Sequence, residues 1–446
     1  MTFWTSARVA DALGTASPVS AVFPHVSTDT RALVPGDLFV ALKGERFDAH
    51  DFLGEARARG AAAAVVRRGT PPVLDLPLFA VEDPLAALGV LARTRRRALA
   101  AGRPVVAITG SSGKTTTKEL ARAALSPRYR VHATAANLNN EVGVPLTILA
   151  APDDTEALVV EAGASVPGEI GRLRAIIEPT IAVITNVGYA HVEGFGSIAS
   201  VLLEKLALLE DVPVAIVGLD PPELAVEARR RTRTIVAGAG PAAEVQADSV
   251  GLDAEGRCVL RWLGREVRLP LFGLHQGDNA MLALAAAQEA GVDPAAALAA
   301  LAAVTVPGGR GRVVHQGDLT IIDDTYNANP GSLARAVESA AWLARERGRP
   351  LAVVVGTMLE LGPESARLHA AAAADIVRRG PALVAAVGEF AGAFAPYRER
   401  FGERLLVAED AAALGPELKA ALHGNEVVLL KASRGVALER VLRHLS

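Results

Sequence analysis

The sequence predicts an α/β protein built on parallel sheets and divided into three domains. Three observations carry this expectation. Short, uniformly apolar runs rich in β-branched residues recur along the chain, separated by stretches of helical length, as expected for strands buried on both faces of a parallel sheet. One such run, Val105 to Ile108, leads through a glycine-rich turn into helix formers. The length of 446 residues exceeds what one core serves, at roughly 100 to 200 residues per domain.

Taken in order, the first block alternates apolar runs at Leu38 to Leu42, Ala62 to Val66 and Leu78 to Val81 with helix-like stretches such as His50 to Arg59. After Ala98 to Arg103, Pro104 opens a second block with runs at Val105 to Ile108, Leu158 to Val160, Ile181 to Ile184 and Val214 to Val217. A Pro-Gly-Gly break at Pro307 to Gly309 precedes a third, with runs at Leu319 to Ile322, Leu351 to Val355, Leu383 to Val387 and Val427 to Leu430. The expected domains are therefore residues 1–100, 101–308 and 309–446.

Composition narrows the function. Half of the residues are hydrophobic, which supports packed cores and argues against disorder. Lys plus Arg number 46 against 49 Asp plus Glu, so no global positive field draws nucleic acid or an anionic membrane, and small-molecule partners are expected. The dense basic run Arg93, Arg95, Arg96 and Arg97 reads as an interdomain or solvated helix face. Cys258 is the only cysteine, which excludes an internal disulfide and thiolate-rich metal sites and leaves oxygen or imidazole as metal ligands. Met1 to Gly14 shows no signal-peptide pattern, and the Ala-rich stretch Ala280 to Val304 is broken by Glu289, Asp293 and Pro294, wrong for a membrane span. A cytoplasmic monomer is expected.

The sharpest chemical signal is Thr109, Gly110, Ser111, Ser112, Gly113, Lys114, Thr115, Thr116, with helix formers from Lys118 onward. Glycines let backbone N–H groups converge on phosphate oxygens, the helix N-terminus adds positive charge, Lys114 meets the outer phosphates, and the Thr115 hydroxyl suits magnesium. Position 108 is Ile where the longer phosphate-loop motif has its first Gly. Gly238, Gly240 and Ala243 loosely match a dinucleotide fingerprint, but Glu244 to Val250 does not read as the long helix that fold requires. Glu161 and His191 lie just beyond apolar runs, where open parallel sheets bind ligands; they read either as structural polar groups or as a magnesium site. Asp323 to Pro330 is either a capped strand-to-helix turn or a loop closing over nucleotide and substrate.

These segments, in this order and over nearly the whole chain, resemble the Mur ligases. The resemblance includes Asp29 to Arg31, Gly36 to Gly44, Thr109 to Thr116, Asn139 to Pro145, Glu161 to Ala164 and Ala190 to Ser197. It continues through Asp323 to Pro330, Gly356 to Gly362 and Lys431 to Gly435. It implies a small N-terminal domain for the uridine nucleotide precursor, a central phosphate-loop ATPase domain and a C-terminal Rossmann-like domain that closes over ATP and the incoming amine. It further implies that Gly110 to Thr116 bind ATP, with Asn279 near the adenine and Arg312 and Asp324 at phosphate and ribose. Thr30, Arg31, Lys43, Asn139, Asn140, Tyr326 and Asn327 fall at substrate-binding positions. Thr115, Glu161, His191 and Lys205 fall at sites for two magnesium ions. Lys114, His191 and Lys205 are the implied catalytic residues, with Lys205 carbamylated; read without the resemblance, Lys205 is a solvated helix lysine.

Three departures from the family pattern are visible: His275-Gln276 for His-Asn, Lys205-Leu206-Ala207 for Lys-Gly-Glu, and Gly308 to Arg312, where Arg310 and Arg312 compete as the phosphate contact. The Asp-Asn-Pro-Arg motif of members that add a diamino acid is absent. The implied activity is ATP-dependent joining of D-Ala-D-Ala to a UDP-N-acetylmuramoyl-tripeptide in peptidoglycan precursor synthesis. The alternatives are a Mur ligase adding one amino acid, a folylpolyglutamate synthetase, and a nucleotide switch, against which the missing guanine-reading Asn-Lys-x-Asp motif speaks.

Overall fold

The computed structural model describes residues 3–73, 75–99 and 101–445. Met1 and Thr2 of the expected leader-free N-terminus lie outside these residues, as does the domain boundary expected at Ala100. The chain forms two compact units, and the division falls within the strand Val105–Thr109.

The first unit comprises Met1–Ala107, Tyr129–Ala164 and Gly168–Thr180. Its parallel four-stranded sheet runs Val26–Ser27, Leu38–Val40, Ala63–Arg67 and Leu78–Val81 in spatial order. Successive side chains of a strand point to opposite faces, and here both faces are covered: Leu38, Val40 and Val65 pack with Val9 and Leu88, while Phe39, Ala64 and Val66 pack with Leu53 and Ala56. That is why these strands read as unbroken apolar runs. Of the two readings of the arginine run, the solvated face does not hold, whereas contacts reach segments beyond the boundary expected near residue 100, as an interdomain face would. Arg95 is buried and bonded to Ala151 O and Asp153, and Arg96 donates to Ile177 O at 2.8 Å. Only Arg97 is exposed and paired at the surface, with Glu178. The run therefore joins the helix Pro84–Leu99 to other segments of its own unit.

The second unit comprises Ile108–Arg128, Ser165–Pro167 and Ile181–Ser446. Strands Ile181–Ile184, Val214–Val217, Arg233–Gly238 and Val245–Gln246 pair in parallel. Because Val245–Gln246 follows Gly238 with no helix between, the loose dinucleotide fingerprint is not a nucleotide-binding turn. Three antiparallel strands, Ser249–Leu252, Arg257–Trp262 and Arg265–Phe272, form a separate small sheet that the apolar runs did not announce.

A six-stranded sheet then runs Arg312–Gln316, Leu319–Asp324, Val427–Lys431, Leu351–Val355, Leu383–Val387 and Leu405–Ala408, parallel except for its first pair. Alternate residues again feed two cores, Val353 and Leu429 against Leu333 and Val337 on one face, Val354 and Leu430 against Leu414 and Leu418 on the other. The helix Pro330–Glu346 starts where Asn329 and Ser332 exchange a capping box and Pro330 occupies the first turn. Among the described residues no helix is long and apolar enough to cross a membrane.

Candidate active site

The phosphate-binding turn is built around two glycines where a side chain would be strained. Gly110 (φ +147°) and Gly113 (φ +81°) sit so close to neighbours that an added Cβ would lie 1.9 Å from Thr185 Oγ1 and 2.4 Å from Asn279 Oδ1, respectively. The turn is pinned by the polar end of the strand Ile181–Ile184. Thr185 Oγ1 donates to Ser112 O at 2.6 Å, Ser111 N–H donates to Asn186 O at 3.0 Å, and Ser112 N–H donates to Asn186 Oδ1 at 3.0 Å. The helix Lys114–Leu125 starts immediately after Gly113, four residues earlier than the helix formers suggested, so its positive N-terminal end adjoins the turn directly. Lys114 Nζ folds back to donate to Gly110 O at 2.7 Å, and Thr115 and Thr116 are buried.

Asn279, on the helix Gln276–Glu289, lies against this turn: its Oδ1 accepts from Thr117 Oγ1 at 3.3 Å and its Nδ2 donates to Gln276 Oε1 at 2.9 Å. A cavity of about 490 Å³ opens beside it, lined by Thr185, Asn186, Asp220, His275, Asn279 and Arg335 among others. Burial, reinforced by the positive charges of Arg335 and Lys431, pushes the His275 imidazole down to about 3, so the ring is neutral at pH 7.

His191 adopts left-handed backbone (φ +57°) before the short helix Val192–Phe195, and its Nδ1 lies 2.5 Å from Glu360 Oε2. Glu193 N–H donates to Glu360 O at 3.1 Å, so the two loops are joined through backbone as well. Bonding to His191 first, with the field of Lys114 as the smallest contribution, holds the Glu360 carboxyl below its usual range. Asn329 Nδ2 donates to Ser111 O at 3.3 Å, which brings the polar loop Asp323 to Pro330 onto the phosphate turn.

Asp324 ends its strand directly across from Lys431, whose Nζ reaches Asp324 Oδ2 at 2.5 Å and Asn327 O at 2.9 Å. Burial raises the Asp324 carboxyl, and Lys431 offsets part of that rise. Arg312 opens its strand with an exposed side chain, whereas Arg310 lies over the Tyr326 ring at 3.6 Å. Lys205, on the helix Ile198–Leu206, is only 1% exposed, with Nζ 5.9 Å from the Phe195 ring. The reading of Lys205 as solvated is thus corrected: Lys205 lies one turn beyond Val201 on the buried face of the helix, and the solvent face carries Ala199 and Leu203 instead.

In the first unit, Glu161 ends its strand almost fully buried. Its Oε1 accepts from Asn139 Nδ2 at 2.8 Å, while Oε2 is buried with no hydrogen-bond partner. Asn140 Oδ1 accepts from Gly143 N–H at 2.8 Å, so it serves the start of the helix Gly143–Leu149. Thr30 begins a short 3-10 turn capped by Asp29, Arg31 pairs with Asp29 at 2.7 Å, and Lys43 lies 3.8 Å from Asp48. Sequence reasoning gave no individual role to Thr185, Asn186, Glu360 or Lys431. The first two carried a signal in retrospect, polar residues where an apolar run stops beside the phosphate-turn strand.

Comparison with known proteins agrees with this geometry. Three family descriptions match in succession: "Mur ligase family, catalytic domain" over residues 23–96, "Mur ligase middle domain" over 108–287 and "Mur ligase, glutamate ligase domain" over 309–434. The UDP-N-acetylmuramoyl-tripeptide--D-alanyl-D-alanine ligase of Bacillus subtilis is 36% identical over 432 residues, covering 95% of this chain and 93% of that one. The crystal structure of MurF from Acinetobacter baumannii superposes with a TM-score of 0.88 at 31% identity, covering 99% and 98%. MurF from Thermotoga maritima in complex with ADP does so with a TM-score of 0.82 at 31% identity, covering 94% and 96%. With relatives of this identity spanning almost its full length, and with three Mur ligase descriptions matched in succession, the chain belongs to the Mur ligase family.

Proposed function

We propose that this chain is an ADP-forming ligase that joins D-Ala-D-Ala to UDP-N-acetylmuramoyl-tripeptide in cytoplasmic peptidoglycan precursor synthesis. The observation that carries the reading is the junction of Asn329 with Ser111, where the polar loop of the last sheet meets a phosphate-binding turn. The near full-length relatives of that name support it. Three domains, residues 1–100, 101–308 and 309–446, hold the nucleotide precursor, ATP and the incoming dipeptide.

A carboxylate resists an amine because it is anionic and lacks a leaving group. Transfer of the γ-phosphoryl group of ATP to the terminal carboxylate of the tripeptide gives an acyl phosphate. The free amine of D-Ala-D-Ala attacks its carbonyl, and the tetrahedral intermediate expels phosphate. Lys114 leaves Gly110 O to neutralise charge on the moving phosphoryl group, the main task in such transfers. The first-turn N–H groups of the helix Lys114–Leu125 orient the phosphates, and the cavity beside Asn279 takes the nucleoside. Arg312 and Asp324 contact phosphate and ribose.

Magnesium fits the residues present. The buried, unbonded Oε2 of Glu161 is a ready oxygen for a hard cation. Among the described residues no three His, Cys, Asp or Glu gather as a metal site; within the second unit the Thr115 hydroxyl, His191, a Lys205 carbamate and ATP oxygens would hold magnesium ions. Bound there, they would offset the phosphoryl charge.

The test is phosphate release by the purified protein with each nucleotide-peptide paired with D-Ala-D-Ala or a single amino acid. D-Ala-D-Ala is expected to react at least about a hundredfold faster than diaminopimelate or lysine offered to the nucleotide-dipeptide. A single amino acid ligated efficiently while the dipeptide is inert would overturn the substrate and leave the chemistry standing.

A further inference from the structure

Three adjacent strands of the six-stranded sheet, Leu319–Asp324, Val427–Lys431 and Leu351–Val355, end side by side, and the loops beyond them are laced together. Ser433 N–H donates to Thr357 O at 3.2 Å, Ser433 Oγ donates to Ala328 O at 3.2 Å, and Leu359 N–H donates to Ser433 Oγ at 2.9 Å. This lacing holds two neighbouring residues in fixed places. Tyr326 stands between Arg310, 3.6 Å from its ring centre, and Arg434, at 5.2 Å. Arg434 Nη1 also donates to Tyr326 Oη at 3.4 Å, which leaves the phenol's own proton for an acceptor. Among the described residues neither arginine is paired with a carboxylate, although most arginines of this chain are. Two guanidiniums and a phenol O–H thus converge at the carboxyl edge of a parallel sheet, where such sheets bind ligands, with no anion of the chain to satisfy them.

Resting on the reading of function above, we propose that Arg434, steadied against Tyr326, binds the terminal carboxylate of the incoming dipeptide. The phosphates already have the glycine turn and Lys114. The one anionic group of D-Ala-D-Ala that the reaction leaves untouched is that carboxylate, and a guanidinium fork matches it in two parallel hydrogen bonds. An anchored carboxylate also measures length. A residue adds roughly 3.3 to 3.6 Å of reach, so a single amino acid held at the same point brings its amine about one residue short of the acyl phosphate.

The experiment compares D-Ala-D-Ala with its C-terminal amide in the full-length wild type, R434Q and R434K, reading KM and kcat for the dipeptide and KM for ATP. The wild type is expected to prefer the acid by about 30- to 100-fold in kcat/KM. R434Q is expected to reduce that preference to about threefold, through the KM of the acid, with the KM for ATP within about twofold of normal. R434K, which keeps the charge and loses the fork, falls between. Should R434Q not fold, the same ratio in R434K decides. An active variant that keeps the wild-type preference overturns the proposal, as does a KM for ATP that rises in step with that for the dipeptide, since the arginine then serves phosphate. A wild type inert with the dipeptide but active with another amine overturns the reading of function itself, and this proposal with it.

Discussion

Gly113→Ala strikes the phosphate turn where it has least room. The backbone there has φ +81°, and left-handed geometry costs an L-residue roughly 1–2 kcal/mol. The new methyl would lie 2.4 Å from Asn279 Oδ1, so Asn279 must move. That side chain is tied at both ends, accepting from Thr117 and donating to Gln276, and losing one or both bonds costs about 1 kcal/mol each. The sum is about 2–4 kcal/mol. Expressed wholly in nucleotide affinity, at 1.4 kcal/mol per factor of ten, this is a loss of about 30- to 700-fold. Calorimetric titration with ADP measures it, and thermal unfolding of Gly113→Ala in the wild-type and Asn279→Ala backgrounds separates the two contributions. Without Asn279 the steric part vanishes and only the backbone part remains, giving a coupling of about 1–2 kcal/mol. ADP binding within about threefold of normal, or an equal destabilisation in both backgrounds, would refute the reasoning.

Three further outcomes follow from the same site. Lys114→Ala should lower kcat by about a thousandfold, or about 4 kcal/mol of transition-state stabilisation; steady-state phosphate release decides, and near-normal turnover would remove Lys114 from the phosphoryl step. Lys205→Ala should be weak and regain activity with a short carboxylic acid, because the acid refills the place of a carbamate; full activity without rescue counts against the carbamate. Lys431→Met should destabilise the fold by about 3–5 kcal/mol by stranding Asp324. Since the Asp324 carboxyl is raised in the folded state, the folded protein holds that proton more tightly. The damage therefore grows as pH rises through and above the ordinary carboxyl range, and a urea melt equally affected at about pH 4 and pH 8 would count against the pairing.

The parallel strands were legible because burial on both faces forbids polar residues along their length. The runs Ile181 to Ile184, Val214 to Val217 and Leu351 to Val355 coincide with the observed strands. The antiparallel strands between Ser249 and Phe272 escaped notice for the opposite reason. Arg261, Glu266 and Arg268 face water while Leu260, Val267 and Leu269 face inward, a period-two signal of one-sided burial that a search for uniformly apolar runs passes over. Among the site residues, the phosphate turn was legible because its chemistry is local: the glycines, the lysine and the helix start all lie within eight consecutive positions, Thr109 to Thr116. The contacts of Glu360 with His191, Asn329 with Ser111 and Lys431 with Asp324 are not of that kind.

The first two of those contacts join loops that follow separate strands and the third joins two paired strand ends, so their meeting depends on strand order, which no local pattern encodes. His275 illustrates the consequence for chemistry. In the sequence it is an imidazole with an ordinary value near 6.5, but burial, with Arg335 and Lys431 brought near by the fold, depresses it to about 3. An unfolded chain takes up this proton near pH 6.5 and the folded protein does not, so the stability His275 confers is present above about pH 6.5 and is lost as pH falls toward 3. His275→Asn, which cannot titrate, should flatten that part of the acid limb in thermal unfolding measured from about pH 7 to pH 4. An unchanged slope would mean that the ring is not held neutral, and that the cavity beside the phosphate turn is more open to water than its lining indicates.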